Sequence, residues 1–427
     1  MDARHADSVD NPRVGRAPLT ALVVVLVSAC SAGAPSSAGP TPASSLALSP
    51  GASVAPPTFT QAAPPPASSS PTPTPLPPGP DVQFAGLLSA SDGWALTSTG
   101  LYVTADGGAT WRTATVPGPR TGRGVLGVAF ADPERGWLAT LDSTDYRSSV
   151  FDVWRTTDGG RSWAKAVLPE GANRSDTMGT VEFSVLDPAH LFLLVEGGMP
   201  DGYTSDLYAS TDGGASWSPD RVTSDSGVTG GLAFADAEHG VIAGGAPGDR
   251  LFVTADAGRS WRRVAIPTPA GASSTWTSLW SAPTFWDATS GALVVNYGTA
   301  VGPTAFGILV THDAGASWTL AARVSLTASQ SNAVSVAFTS PTDWLALPDS
   351  ATLLRTTDAG RTWASSPSVG LPGVPQSLVF ADAQHLWGLV GMGVCLSFKS
   401  NCSYRTGLYA TDDGGGSWVA LWPGRPA

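Results

Sequence analysis

The 427-residue chain is poor in charge, in cysteine and in long apolar runs, and each shortage excludes a class of protein. Acidic residues outnumber basic ones by 34 to 23, giving a net charge of -11. This argues against a nucleic-acid partner, because phosphate binding needs a basic face. Three cysteines are too few for a disulfide-rich scaffold. No apolar run reaches the roughly 18 residues of a membrane-spanning helix, so none is predicted.

The N-terminus has the features of an export signal. Residues 1–16 are polar and contain Arg13 and Arg16, residues 17–27 are an apolar stretch, and Ser28-Ala29-Cys30 follows. A positive segment, a short apolar core and small residues before a cleavage point are typical of a signal peptide. The cysteine after them resembles the lipobox of bacterial lipoproteins, in which the cysteine is acylated and becomes the mature N-terminus. We therefore expect residues 1–29 to be a lipoprotein signal peptide and Cys30 to carry the lipid. The alternative is an ordinary signal peptide with a chance cysteine.

The next segment predicts a tether. Residues 31–80 contain 15 prolines and no Asp, Glu, Lys or Arg. Such a stretch cannot bury enough apolar surface to offset the entropy lost on ordering, and its prolines favour an extended chain. We expect residues 30–80 to be a lipidated cysteine and a disordered linker. They would hold a domain outside the cytoplasm, on a bacterial membrane, through the lipid alone.

One octapeptide, here called the box, occurs seven times between residues 81 and 427. The first copy, at residues 104–111, reads Thr-Ala-Asp-Gly-Gly-Ala-Thr-Trp, and every copy fits [ST]-x-D-[GA]-G-x-[ST]-W. The aspartate and tryptophan of the copies are Asp106 and Trp111, Asp158 and Trp163, Asp212 and Trp217, Asp256 and Trp261, Asp313 and Trp318, Asp358 and Trp363, and Asp413 and Trp418. We predict a structural role for them. The aspartate accepts hydrogen bonds within its own turn, and the tryptophan packs between neighbouring sheets.

A second motif precedes most boxes, and the two together define a repeat unit. It reads Phe-Ala-Asp-Pro-Glu-Arg-Gly-Trp at residues 130–137 and recurs in similar form at residues 234–240 and 380–387. Apolar runs separated by turn residues divide each unit into four short strands. Four strands in units of 44 to 57 residues are typical of propeller blades. We predict an all-β, seven-bladed β-propeller of four-stranded blades over residues 81–427. Either blade 7 docks on blade 1 or a terminal strand crosses the seam.

The boxes resemble the Asp-boxes, or bacterial neuraminidase repeats, of several propeller families. With the upstream motif, the repeat resembles the photosystem II assembly and stability factor family, whose members are seven-bladed propellers acting as non-enzymatic assembly factors. Sialidases, xyloglucanases and sortilins also contain Asp-boxes, at the propeller periphery and away from the active site. The resemblance implies the fold and a structural role for the box aspartates. It leaves open a binding scaffold or a glycoside hydrolase.

A sialidase-type hydrolase is the enzymatic alternative. That mechanism needs an arginine triad, a tyrosine nucleophile helped by a glutamate, and an acid/base aspartate, and the family's Arg-Ile-Pro motif is absent here. Glu182 and Glu196 remain as candidate carboxylates, with Tyr203 and Tyr297 as companions. The sequence brings no two carboxylates to the roughly 5–9.5 Å separation that glycosidases need, so we assign no catalytic residue.

The histidines raise the question of a metal site. His190, His239 and His385 occupy the same turn position in three units, where another unit has Arg135, and His312 stands at a variable box position. Residues on different blades that alternate with arginine do not share a metal ion. We therefore predict neither a metal site nor a cofactor.

The last unit contains a cysteine pair. Cys395 and Cys402 enclose six residues between the predicted second and third strands. Cys30 is taken by the lipid, and exported proteins favour disulfides. We predict a disulfide between them, with two free thiols as the alternative.

Three tryptophans, Trp276, Trp280 and Trp286, lie between the fourth and fifth boxes, where the spacing is longest. They are either an aromatic platform for a sugar or a partner side chain, or part of the core. We expect a cell-surface or periplasm-facing lipoprotein that acts as a non-catalytic binding or assembly scaffold for an extracytoplasmic or membrane protein. A glycan-binding module and a sialidase-like hydrolase are the alternatives.

Overall fold

The computed structural model describes residues 81–117, 124–142, 149–169, 174–175, 181–199, 202–222, 230–244, 250–269, 277–279, 281–299, 302–327, 330, 334–395 and 402–422. Within these ranges the chain forms thirty β-strands and no α-helix. It follows that no helix in them is long and apolar enough to cross a membrane. The predicted signal peptide, Cys30 and linker lie outside the described residues, so what was predicted for them stays a prediction.

The strands group in chain order into seven antiparallel sheets, each made of consecutive strands. Blade 1 contains β1 (Val82–Leu87), β2 (Gly93–Thr97), β3 (Gly100–Thr104) and β4 (Arg112–Ala114); blade 2 contains β5 (Gly124–Phe130), β6 (Gly136–Asp142), β7 (Ser149–Thr156), β8 (Ala164–Lys165) and β9 (Arg174–Ser175); blade 3 contains β10 (Val181–Val185), β11 (Leu191–Met199), β12 (Gly202–Ser210) and β13 (Ser218–Val222); blade 4 contains β14 (Gly230–Phe234), β15 (Gly240–Gly244), β16 (Arg250–Thr254) and β17 (Arg262–Arg263).

The remaining three blades follow the same order. Blade 5 contains β18 (Thr277–Ser278), β19 (Thr284–Phe285), β20 (Gly291–Thr299), β21 (Gly302–Thr311) and β22 (Thr319–Ser325); blade 6 contains β23 (Ser335–Phe338), β24 (Trp344–Leu347), β25 (Thr352–Thr356) and β26 (Ala364–Pro367); blade 7 contains β27 (Pro375–Phe380), β28 (Leu386–Cys395), β29 (Cys402–Thr411) and β30 (Val419–Trp422). In blade 5 the first strand is split, because β18 and β19 both pair with β20. The predicted all-β, seven-bladed propeller is confirmed.

The hydrophobic core lies between blades rather than within one layer. First strands of neighbouring blades contact each other, as β5 does with β10 and β10 with β14. Alternate residues of each strand face opposite sides of its sheet, so each sheet presents apolar side chains to both neighbours. Each of six buried clusters accordingly draws its residues from two adjacent blades.

The ring closes by packing, because each sheet contains strands of one blade only and no described strand crosses the seam. One cluster joins blade 1 to blade 7. Aromatic rings reinforce it: Trp111 lies 5.6 Å from Trp387 and 6.0 Å from Trp422, and Tyr102 lies 4.8 Å from Trp422, all between ring centroids. Of the two closures left open by the sequence, the structure has the docked one.

The propeller has two distinct faces. The first-to-second strand turn and the box of each blade lie on one face, here called the turn face. In every blade the residue after the box aspartate donates its backbone N–H to a carbonyl of that turn, over 2.7–3.0 Å. The hairpins joining second and third strands lie on the opposite face, here called the hairpin face. They are long in blades 2, 3, 5 and 7 and short in blades 1, 4 and 6.

Candidate functional site

Each box folds into the same hydrogen-bonded loop at the end of the third strand. In the first copy, Thr104 Oγ1 donates to Asp106 Oδ1 (2.7 Å) and accepts from the Gly108 N–H (3.0 Å). Asp106 also accepts from the Thr110 N–H at Oδ1 (2.8 Å) and from the Thr110 hydroxyl at Oδ2 (2.6 Å). The same four bonds recur in the other six copies. The sequence analysis missed the leading Ser or Thr, whose hydroxyl joins the aspartate to the glycine.

These hydrogen bonds keep the box carboxylates ionised. The hydroxyl and N–H of Thr110, together with the Thr104 hydroxyl, lower the pKa of Asp106 to about 2. The hydroxyl and N–H of Ser216 lower the pKa of Asp212 to about 2. A general acid must hold its proton near neutral pH, so the box carboxylates have the wrong pKa for that role.

The second glycine of every box has a positive φ and faces the preceding blade. A Cβ added at Gly214 would lie 2.3 Å from Trp137 Nε1 of blade 2, and one at Gly108 would lie 2.6 Å from Leu421 Cδ1 of blade 7. The box tryptophans pack in the same direction, against the cluster shared with the preceding blade: Trp111, Trp163, Trp217, Trp261, Trp318 and Trp363. Each box therefore clamps its blade to the one before it.

The turns between first and second strands pair an aspartate with a histidine or an arginine in four blades. His190, His239 and His385 each place Nδ1 2.9 Å from an oxygen of the aspartate three residues earlier, and Arg135 pairs with its aspartate in the same way. Burial alone raises the pKa of Asp187, but hydrogen bonds from the His190 ring and two backbone N–H groups outweigh it and lower that pKa. The histidines thus lie in separate turns. No described set of three His, Cys, Asp or Glu side chains is grouped to hold a metal ion.

A cavity of about 580 Å³ opens at the centre of the turn face. The turns of blades 1 to 5 line it, with apolar wall from Leu88, Pro283 and Trp286 and with four carboxylates, Asp92, Asp132, Asp187 and Asp287. Arg135 is the one lysine or arginine among the described residues that line it. Its Nε donates to Asp132 Oδ2 over 2.7 Å. The cavity is therefore mixed in polarity and carries excess negative charge.

Two of these carboxylates, Asp92 and Asp287, have no arginine or histidine partner among the side chains that the structure describes. In blade 1 the turn is inverted: Ser89 takes the place of the aspartate, and Asp92 takes the place that Arg135 or a histidine fills elsewhere. Asp92 Oδ2 accepts from the Ser89 and Ser91 hydroxyls. In blade 5, Ser290 stands at the position that Arg135 has in blade 2, and Asp287 Oδ1 accepts from the Ser290 N–H over 2.7 Å. Neither carboxylate is in an ion pair among the side chains that the structure describes.

Of the candidate hydrolase residues, the structure describes the side chains of Glu182 and Tyr297, and these two lie in different blades. Tyr297 is 1 % exposed and donates its hydroxyl to Pro267 O over 2.8 Å. Burial raises the pKa of Tyr297 to about 12, which is the wrong direction for a nucleophile. Glu182 is buried in the first strand of blade 3. The side chains of Glu196 and Tyr203 lie outside the described residues.

Trp286 is the one member of the tryptophan trio that the structure describes; Trp276 and Trp280 lie outside. Its indole N–H donates to Phe338 O over 3.1 Å, and its ring stacks on Trp344 at a centroid distance of 6.5 Å. It also lines the cavity. Trp286 thus joins the interface of blades 5 and 6 to the wall of the cavity.

Cys395 and Cys402 are the last paired residues of the β28–β29 hairpin and lie directly opposite each other in the ladder. Opposed residues of antiparallel strands have Cα atoms about 4.5–5.5 Å apart, within the range that disulfides span. Their side chains lie outside the described residues, so the bond stays a prediction.

No protein-family model and no curated protein matches the chain. Solved structures do match it. The GH74 xyloglucanase from Xanthomonas campestris is 18% identical with a TM-score of 0.51, over 80% of this chain and 54% of that one, so the chain spans about half the enzyme's length. YCF48 bound to D1 peptide is 16% identical with a TM-score of 0.48, over 73% and 91%. YCF48 from Cyanidioschyzon merolae is 16% identical with a TM-score of 0.45, over 79% and 95%. At these identities the likeness concerns the fold alone.

Proposed function

We propose that this chain is a lipid-anchored, extracytoplasmic binding or assembly scaffold whose propeller holds a partner protein without catalysing a reaction. One observation carries the proposal: the repeated polar residues form hydrogen bonds inside their own blades. The box aspartates accept hydrogen bonds from their own loops, and the turn aspartates of blades 2, 3, 4 and 7 are paired with the Arg or His three residues later.

The central cavity supports binding rather than hydrolysis. A glycosidase needs one carboxyl group that stays protonated, which requires a raised pKa. Burial raises the pKa of Asp287, but hydrogen bonds from Thr289 and Ser290 outweigh it and lower that pKa; the pKa values of Asp132 and Asp187 are lowered too. An arginine triad would be needed to hold a sialic acid carboxylate, and Arg135 alone among the described lining residues is an arginine.

The test is crosslinking in cells, followed by purification of the tagged lipoprotein from membranes and mass spectrometry. A scaffold predicts one recurrent protein partner near stoichiometry, lost when the crosslinker is omitted or when an unrelated lipoprotein carries the tag. Recovery of wall or surface glycan without a protein would overturn the proposal in favour of a glycan-binding module. Turnover of fluorogenic glycosides by the purified full chain would overturn it in favour of a hydrolase.

The anchor has its own test. Metabolic labelling with an alkyne fatty acid should label the wild-type protein and fail to label Cys30→Ser, which should also leave the membrane fraction. Equal labelling of both proteins would exclude Cys30 as the lipidated residue.

A further inference from the structure

The central cavity of the turn face is a feature of the described surface that no structural role explains. Its volume of about 580 Å³ lies within the roughly 300–1,000 Å³ of ordinary ligand sites. This is enough for one or two side chains of an extended segment, and too little for a folded domain. Five different blades contribute to its wall.

The negative charge of the cavity favours a positively charged occupant. Arg135 neutralises Asp132, and His190 lies against Asp187. Asp92 and Asp287 are hydrogen-bonded to hydroxyl and N–H groups, and neither has an arginine or histidine partner among the described side chains. In these two turns the residue at the position of Arg135 is Asp or Ser, so the excess negative charge is built into the sequence of two separate blades.

The apolar wall selects the shape of the occupant. Leu88, Pro283 and Trp286 line the same cavity as Asp92 and Asp287. Lysine and arginine carry a charged group on an aliphatic stem, and the stem packs on apolar surface while the charge stays with an acid. An aromatic face beside the cation adds further attraction.

We propose that this cavity binds a basic segment of the partner protein, with Lys or Arg side chains held by Asp92 in blade 1 and Asp287 in blade 5 and with their stems lying against Leu88, Pro283 and Trp286. This inference rests on the proposed scaffold function, because it names the face and the chemistry of that binding. A basic side chain beside either carboxylate would supply the ion pair that Arg135 gives Asp132 in blade 2.

The probe is a fluorescein-labelled peptide of alternating Lys and Ala, with an alternating Glu and Ala peptide as its charge-reversed counterpart. Binding to the purified full chain is measured by fluorescence anisotropy. The basic peptide should bind and the acidic one should not, and binding should weaken with salt because the charges are accessible. Replacing both carboxylates, Asp92→Asn with Asp287→Asn, should weaken binding by about tenfold or more, the loss expected for removing one strong charged contact.

The substitutions preserve the turns, because an asparagine Oδ1 accepts the same N–H and hydroxyl hydrogen bonds. The matched control is Asp349→Asn, on the hairpin face, where Asp349 also accepts a backbone N–H, from Ala351. It removes the same charge and should leave the affinity unchanged. Equal weakening by the control would mean that the peptide senses only net charge, which overturns the proposal.

The outcomes separate this proposal from the scaffold function. Failure of the basic peptide to bind would overturn the cavity as its site. Crosslinking would still capture a protein partner if the scaffold function is right and another surface is used. A double variant that keeps its thermal unfolding temperature but loses the crosslinked partner would support both.

Discussion

The two adjacent glycines of a box should respond very differently to alanine, although both have positive φ. In the third box φ is 70° at Gly213 and 76° at Gly214. At the first of the two positions three other boxes have alanine, at Ala257, Ala314 and Ala359, with φ of 57–60°. At the second position all seven boxes have glycine. In the third box the two φ values differ by only 6°, so a difference between the two alanine variants there must come from what a Cβ would meet.

For Gly213→Ala the added Cβ would lie 3.1 Å from Pro188 O, a contact that a small shift relieves. The left-handed conformation costs alanine about 1–2 kcal/mol, and reduced unfolded-state entropy returns about 0.4–1 kcal/mol. We expect a net loss of about 1 kcal/mol in the free energy of unfolding.

For Gly214→Ala the added Cβ would lie 2.3 Å from Trp137 Nε1 and 2.6 Å from its Cδ1. The indole N–H donates to Gly213 O over 2.9 Å, so displacing the ring also breaks this hydrogen bond. Overpacking adds about 1–3 kcal/mol and the lost hydrogen bond about 0.5–1.5 kcal/mol to the backbone cost of about 1 kcal/mol given above. We therefore expect Gly214→Ala to lower the free energy of unfolding by about 4 kcal/mol in total.

The assay is urea unfolding of both variants and wild type, followed by tryptophan fluorescence, with midpoints compared at equal slope. Ala257→Gly in the fourth box, at the position equivalent to Gly213, serves as the reverse control and should raise the free energy of unfolding by about 1 kcal/mol or less. Equal losses for Gly213→Ala and Gly214→Ala would refute the idea that the second glycine is required by packing against the preceding blade.

Three further outcomes follow from the structure. The pKa of Asp106 is about 2 in the folded protein and 3.8 in the unfolded chain, so its contribution to stability is present above pH 4 and lost between pH 4 and 2. The thermal unfolding temperature should be flat from pH 7 to 5 and fall steeply below pH 4, less steeply in Asp106→Asn. Identical slopes in the two proteins would contradict this. Leu421→Ala should cost about 2–5 kcal/mol in chemical unfolding, because Leu421 is 9 % exposed in the seam between blades 7 and 1, and a loss below 1 kcal/mol would mean that the seam contributes little. If Cys395 and Cys402 form a disulfide, the mass of the wild-type protein should be about 2 Da lower without reductant than with it, and the mass of Cys395→Ser should not respond to reductant. One free-thiol adduct on each of the two cysteines in the unreduced wild type would exclude the bond.

The repeat made the fold predictable, and long-range packing decided what was not. The boxes and turns predicted seven blades of four short strands, and the structure has seven sheets in that chain order. Ring closure depended on contacts between Trp111 and Trp387, 276 residues apart, which no local pattern encodes. The cavity was missed for the same reason, since five turns distant in sequence line it.

A repeated fold leaves function to the positions where its copies differ. The boxes are alike because each has the same structural role. Each holds its blade to the preceding one through a glycine and a tryptophan. The turns differ at one position, which is Arg135 or a histidine in blades 2, 3, 4 and 7, Asp92 or Asp343 in blades 1 and 6, and Ser290 in blade 5. In blade 6, Asp343 pairs with Arg355 and does not line the cavity. All seven turns keep capping hydrogen bonds to backbone N–H groups, made by an aspartate or, in blades 1 and 6, by Ser89 and Ser340, so the capping does not depend on the variable residue. In blades 1 and 5 these departures set the charge of the central cavity, and the proposed binding site follows from them.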